Sequence, residues 1–286
     1  MLKLITKVIK EALFPTSCLV CGAFFHFKDF KTEFTRLQQL DPGFLTGRDL
    51  DEIYKALLTP LLCNSCLPDY TPVESPICSK CGFLFKSREG NDHVCGSCLE
   101  SEKKFGIARA GAVYDKSVMT MIYRFKYNGK IQLAGPLGRF LFAVFVRNFY
   151  VDISVDNRVD FVIPVPLHMS RFRKRGFNQA FLLVREWEKL VSNCNLVPHS
   201  FHVEKDILTR TRKTKSQTGL NRKDRMVNIK NAFSIKNPEK VMGKKMLIVD
   251  DVYTTGATVN ECAKVLLNGG AKSVDVLTLA RAALTN

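Results

Sequence analysis

Two adjacent carboxylates, Asp250 and Asp251, stand just ahead of Thr254, Thr255, Gly256, Ala257 and Thr258. Carboxylates accept hydrogen bonds from sugar hydroxyls. Amides converging at a helix N-terminus, helped by threonine hydroxyls, favour a phosphate. A phosphate alone would be repelled by the two acids. The combination reads as a pocket for a ribose 5-phosphate, with hydroxyls on Asp250 and Asp251 and the phosphate in the loop from Thr254 to Thr258. The bland alternative is an acidic turn before a capped helix, but the whole string from 246 to 258 favours the pocket. The lysine of a GxxxxGK[ST] loop is missing, and no GxGxxG follows a strand, so nucleoside triphosphates and NAD fit poorly.

A second chemistry belongs to cysteine. Eight of the ten form Cys-x-x-Cys pairs: Cys18 and Cys21, Cys63 and Cys66, Cys78 and Cys81, Cys95 and Cys98. Each pair can close a knuckle on zinc, and two knuckles complete a four-thiolate site. Two zinc ions are expected. Disulfides suit an oxidising compartment, and four copies exceed what a redox centre requires. Joining the first pair to the second and the third to the fourth needs no chain crossing; interleaved pairing stays open. Cys194 and Cys262 read as buried apolar thiols, and His26 and His93 as surface residues.

The third chemistry is cationic. The chain carries a formal charge of +16, and residues 168–230 hold 15 Lys or Arg against 5 Asp or Glu. Such clustering attracts polyanions, a pyrophosphate or a nucleic acid. Arg171, Arg173, Lys174 and Arg175 fall within five residues ahead of Gly176, a pattern that can hold a dense anion or form a solvated basic turn. Residues 208–233 are long, polar and basic, and include Arg210, Arg212, Lys215 and Gln217. A stretch of this kind is either a mobile lid or a nucleic-acid-binding arm.

The elements that must position these groups follow from apolar spacing. Residues 246–249 form an unbroken apolar run, the mark of a strand buried on both faces. Val259, Cys262, Ala263 and Leu266 lie at helical spacing, and Gly269-Gly270 ends that helix. Residues 273–279 read as the next strand, completing a strand–helix–strand unit. Upstream, 107–114 and 161–166 suit strands. Helices are expected over 49–58, 116–127 (with Arg124 and Lys126 exposed), 131–148 and 179–191. The class is α/β, a parallel sheet flanked by helices.

The charged stretch 100–104 marks a boundary between a cysteine-rich domain, 1–104, and an α/β domain, 105–286. The first carries an insertion over 23–62 and an amphipathic N-terminal helix whose Leu2, Ile5, Val8 and Ile9 share a face. That helix is expected to pack on its own protein, with a membrane surface or a partner as the alternative. Lys3, Lys7 and Lys10 interrupt what a secretory leader would need. No apolar run approaches the length of a membrane span. A cytoplasmic location is expected.

VDDVYTTGAT resembles the PRPP-binding signature of type I phosphoribosyltransferases. Combined with the cysteine pairs, PVPLHMSRFRKRGFNQA and RTRKTKSQTGLNRKDR, nearly the whole chain resembles the ComF family of competence proteins. The resemblance implies a type I phosphoribosyltransferase-like domain behind a double zinc ribbon. It implies PRPP with magnesium as ligand, pyrophosphate on Arg171 and Arg175, and a flexible lid at Arg210, Arg212, Lys215 and Gln217. It also implies single-stranded DNA as a partner during natural transformation, and DNA-uptake machinery at the inner face of the membrane. Two alternatives remain, a salvage phosphoribosyltransferase and a PRPP-sensing regulator without turnover. Relatives that use hypoxanthine or guanine carry aspartate where Thr254 stands, which weakens the salvage branch. Whether turnover occurs, and on which acceptor, stays open.

Overall fold

The computed structural model describes residues 16–25, 48–149, 158–193, 201–214 and 222–283. The amphipathic segment at the N-terminus, Cys194, His26, Lys215 and Gln217 lie outside them.

Helix α1, Leu50–Leu58, begins at Asp49, whose carboxylate accepts from Glu52 N at 2.7 Å. Its apolar face (Leu50, Ile53, Tyr54, Leu57, Leu58) is buried. Strand β1, Ala108–Val113, leads into α2, Lys116–Tyr127, and then α3, Ala134–Phe149, which a 3₁₀ turn precedes. Strand β2, Phe161–Pro164, is followed by α4, Met169–Arg175, α5, Gln179–Val184, and α6, Trp187–Asn193. The short strands β3, His202–Val203, and β4, Leu208–Arg210, come next, then α7, Arg222–Ile229, and β5, Phe233–Ile235. Strand β6, Lys245–Tyr253, helix α8, Ala257–Asn268, and β7, Ser273–Arg281, close the chain.

Five of these strands form one sheet in the order β1-β7-β6-β2-β3, and every neighbouring pair is parallel. Residues alternate between two cores, as buried parallel strands require. Leu247 and Val249 enter the core made by α1, α2, α3, α5 and α6. Met246 and Ile248 enter the other, with α8, β4 and β5. The sole tryptophan anchors the first core. Trp187 is fully buried, and its Nε1 donates to Gly138 O at 3.0 Å. A Cβ on Gly138 would lie 2.4 Å from Leu183 O, so only glycine allows α3 this close to α5.

The cysteine-rich segment shares these cores. Leu19, Cys63 and Cys66 belong to the first, and Cys78, Cys81 and Cys95 to the second. Tyr54 stacks on Tyr70 at 4.0 Å, and both meet Phe140 of α3 edge-on. The chain between the two cysteine groups covers the outer edge of β1. Val73 N donates to Gly111 O at 3.4 Å, Val113 N to Thr71 O at 2.8 Å and Ala108 N to Lys80 O at 2.8 Å.

Two expectations need correction. The helix expected over 179–191 breaks at Arg185-Glu186, a turn that lets Trp187 enter the core beside Phe142 and Phe145. The basic segment after β2 is the helix α4 rather than a turn; His168 caps its start and Gly176, at φ 82°, its end. The stretch 208–233 is anchored at both ends by the antiparallel pair β4–β5. Among the described residues, no helix is long and apolar enough to cross a membrane.

Candidate functional site: a charged cluster at the carboxyl end of the sheet and two thiol clusters

Strands β2 and β6 lie side by side in parallel, with Pro164 opposite Val249. The segments that follow them therefore emerge together at the carboxyl edge, where open α/β sheets bind ligands. Asp250 and Asp251 occupy the end of β6. Asp250 Oδ1 accepts from Asp251 N at 2.9 Å. Asp251 is 4% exposed at its side chain and forms a 2.6 Å ion pair with Lys126 Nζ. Lys126 was expected on a solvated face. It lies instead inside the site, at 19% side-chain exposure. Burial pulls its ammonium down to about 8, against the opposing field of Asp250.

Burial pushes the Asp250 carboxyl up to about 6; Lys126, Arg210 and Arg175 pull it back. The fields of three cations, from α2, α4 and β4, thus act on this carboxylate. Arg210 is itself buried, and burial lowers its guanidinium to about 10. It rests 5.3 Å from the Phe233 ring and donates to the Thr214 hydroxyl. Like cations are gathered beside the two adjacent acids. Such an arrangement is stable only with an anion or carboxylates to balance it.

Below the acids, Gly256 caps α8 at φ 76°. A Cβ there would meet Tyr253 Oη at 2.2 Å, and the left-handed φ also demands glycine. The Thr255 hydroxyl accepts from Ala257 N at 3.4 Å. Thr254, Thr255 and Thr258 are half-buried around this turn, and Ala257 is buried. The amides at the start of α8 therefore open beside Asp250 and Asp251, a cradle of the kind that can hold an anion.

Helix α4 divides the basic cluster. Arg171 and Arg175, four residues apart, are half-buried, whereas Arg173 and Lys174 are exposed. Arg171 donates to Thr214 O at 3.0 Å. Arg175 donates to Gln179 Oε1 and lies 5.0 Å from the Tyr127 ring. Asn178 fixes the segment by donating to Val165 O at 3.1 Å and accepting from Ala180 N at 3.0 Å. Arg212 stands apart from Arg210: it donates to Asn228 O at 2.9 Å and Lys230 O at 2.6 Å, closing the end of α7.

The thiols gather into two groups, Cys18, Cys21, Cys63, Cys66 and Cys78, Cys81, Cys95, Cys98, with all sulfurs of a group within 4.8 Å of one another. Pairing is therefore sequential. Cys21 Sγ lies 3.7 Å from Cys63 Sγ, and Cys81 Sγ 3.7 Å from Cys95 Sγ. A tetrahedron of zinc–thiolate bonds has sulfur–sulfur edges of about 3.8 Å, so each group fits such an ion. Burial pushes the Cys78 thiol up, but the amides of Cys81, Cys95 and Lys80 outweigh it and bring the group down to about 6. Cys18 is likewise brought to about 6 by the amides of Cys21, Cys63 and Val20 against burial. His93 stays outside its neighbouring group, stacked at 3.9 Å on Phe85.

Arg281, the last residue of β7, was not foreseen. It is buried, its Nη2 reaches Cys81 Sγ at 3.1 Å, and its Cζ lies 4.1 Å from the Tyr253 ring. One guanidinium thus touches both the second thiol group and the residue that packs against Gly256.

Comparison with known proteins agrees with this architecture. A family model described as the phosphoribosyl transferase domain matches residues 195–284. Competence protein F of Haemophilus influenzae is 32% identical over 225 residues, spanning 77% of this chain and 90% of that protein. DNA utilization protein YhgH of Escherichia coli K12 is 32% identical over 224 residues, 77% of this chain and 90% of its own. Competence protein ComFC of Streptococcus pneumoniae is 30% identical over 224 residues, spanning 73% and 89%.

Proposed function

The chain belongs to the ComF family of competence proteins, and from that premise we propose that it binds PRPP in the pocket at the end of β6 and handles single-stranded DNA on its basic surface. The observation that carries this reading is the buried ion pair of Lys126 with Asp251 at the end of β6, next to the Gly256 turn that opens α8. In this assignment the ribose hydroxyls donate to Asp250 and Asp251, the 5-phosphate takes the amides from Thr254 to Thr258, and the pyrophosphate takes Arg171 and Arg175. Lys126 holds Asp251 in place for the sugar. Arg210 carries the cationic base of the segment 208–233 to the same point.

The two thiol groups are assigned to zinc, which four sulfurs at these separations suit. Magnesium would accompany PRPP, neutralising its diphosphate. The relatives named for competence and DNA utilization support a role in processing incoming DNA, next to uptake machinery at the inner face of the membrane. Arg173 and Lys174, exposed on α4, serve that partner. If phosphoribose is transferred, departure of pyrophosphate from the anomeric carbon is favoured by the fixed cations around it, an effect of positioning and electrostatics.

Calorimetric titration of PRPP with magnesium tests the assignment. Binding by the wild-type chain, abolished in Asp250→Asn/Asp251→Asn with zinc content unchanged, is expected. An absence of heat with the wild type, or affinity retained in the double variant, refutes it. Labelled PRPP incubated with free bases then separates a salvage enzyme, which releases pyrophosphate and forms a nucleotide, from a regulator that only binds.

A further inference from the structure

The outer face of α2 carries a large apolar stripe that stays exposed among the described residues. Its inner face, Val118, Met121, Ile122 and Phe125, is buried. Opposite, Met119, Tyr123 and Tyr127 follow one another at four-residue spacing and are 46%, 54% and 58% exposed. Four-residue spacing makes them one stripe. The two tyrosine rings lie 5.1 Å apart, tilted by 47°. Soluble proteins leave single large apolar side chains exposed without consequence, but an ordered aromatic row needs an explanation.

Its surroundings indicate what it meets. Helix α2, KSVMTMIYRFKY, contains no acid, and neither does α4, MSRFRKR. Arg124 shares α2 with the stripe, Arg173 and Lys174 are exposed on α4, and Arg175 of α4 reaches the Tyr127 ring itself. The row also joins the pocket directly. Arg175, whose field reaches Asp250, sits 5.0 Å from the Tyr127 ring, and Lys126, the residue before it, pairs with Asp251. A protein partner of complementary chemistry would have to be acidic and apolar at once. A single strand of nucleic acid supplies both properties in every unit, a phosphate for the cations and an unpaired base for a ring.

We propose that Tyr123 and Tyr127 form a stacking platform for unpaired nucleobases, which makes the DNA surface continuous with the sugar-phosphate pocket. This inference rests on the single-stranded DNA reading above and names the residues that hold the bases. Arg173 and Lys174 then act on the backbone, and Tyr127 receives the base nearest the pocket.

Fluorescence anisotropy with the full chain provides the test, using a labelled thymidine 15-mer and an abasic strand of the same length. The wild type should prefer the thymidine strand. Tyr123→Ala, remote from the acids, should weaken thymidine binding by about tenfold, on the scale of one lost base–aromatic stack. It should leave abasic binding, the salt slope, metal content and thermal melting unchanged. Tyr123→Trp and Tyr127→Phe should keep the preference. Equal wild-type affinity for both strands, or undiminished thymidine binding by Tyr123→Ala, overturns the platform. A change of oligomeric state in Tyr123→Ala with thymidine binding intact would assign the stripe to a second copy and overturn it too. No wild-type binding of either strand removes the DNA reading itself, and the platform with it.

Discussion

Two groups of four cysteines, alike in spacing and in sulfur geometry, sit on opposite faces of one sheet and do different work. The first lies in the core that holds α1 and α3, reached by the amides of Val20 and Ala23 at 3.4 Å. It fastens the segment around α1 to a face of the sheet remote from the cradle. The second lies in the core shared with α8. A buried guanidinium touches one of its sulfurs, and that same guanidinium carries the Tyr253 ring. Lys104 N, just beyond the second group, donates to Asn260 Oδ1 on α8 at 2.8 Å. Identical ligands therefore say nothing about role. The difference lies in the groups around them: at the second, a guanidinium stands where it would offset the negative charge of thiolates around a metal.

Loss of the metals gives the strongest contrast. Cys18→Ser/Cys21→Ser and Cys78→Ser/Cys81→Ser should each lower zinc to one ion per chain by elemental analysis. Structural four-thiolate sites can supply ~10 kcal/mol of folding free energy, so both variants should melt well below the wild type. Only the second should also lose affinity for ribose 5-phosphate, measured at a temperature where both are folded. Equal losses would erase the distinction between the two groups.

Charge at the pocket sharpens the contrast next. The Asp250 carboxyl, held near 6 in the folded chain against an ordinary 3.8, retains its proton where the unfolded chain has lost it. Stability attributable to this group therefore falls as pH rises from about 4 through 6, and the cost is complete above that window. Asp250→Asn should remove the fall and stabilise the protein at pH 8 by on the order of 1–2 kcal/mol, while abolishing sugar-phosphate binding. A denaturant series at pH 5 and 8 checks this; a destabilised variant at pH 8 would make Asp250 structural.

Arg281→Met separates the guanidinium that links Cys81 to Tyr253 from the thiol group itself. About a fivefold loss of ribose 5-phosphate affinity is expected, on the scale of a desolvated cation–ring contact. Zinc should also leave the second group faster under chelation. Lysine should recover little, since a compact ammonium cannot span thiolate and ring together. The smallest effect belongs to the other face. Asp49→Ala removes the cap of α1 and should cost ~1 kcal/mol, lowering chelator resistance of the first group and leaving phosphate binding alone.

The features legible in the sequence were those with local causes. The apolar run 246–249, the stop at Gly269 and the knuckle spacing each depend on residues close in the chain, and β6, α8 and both thiol groups follow them. The bounds of α2 emerged from its periodicity as well. Lys126 did not, because a lysine next to buried Phe125 reads as solvated until Asp251 arrives from a strand over a hundred residues later. Arg281 is the same case: its meaning depends on Cys81, 200 residues away. The break at Arg185-Glu186 is set by where Trp187 must go, a tertiary demand that overrides helix propensity. Arg210 and Arg212 look equivalent in sequence, yet only the first is buried.

Strand β1 would be a free margin of the sheet were it not for residues 71–80, which hydrogen-bond along it. That covering tape is flanked by Cys66 on one side and held by Cys78 on the other, one anchor in each thiol group. A bare parallel edge offers its amides and carbonyls to any other chain. Chelation should then produce clumping as well as a looser fold, with the apo-protein self-associating through β1. The cysteines that brace the pocket would also be what keeps the molecules apart in a crowded cell.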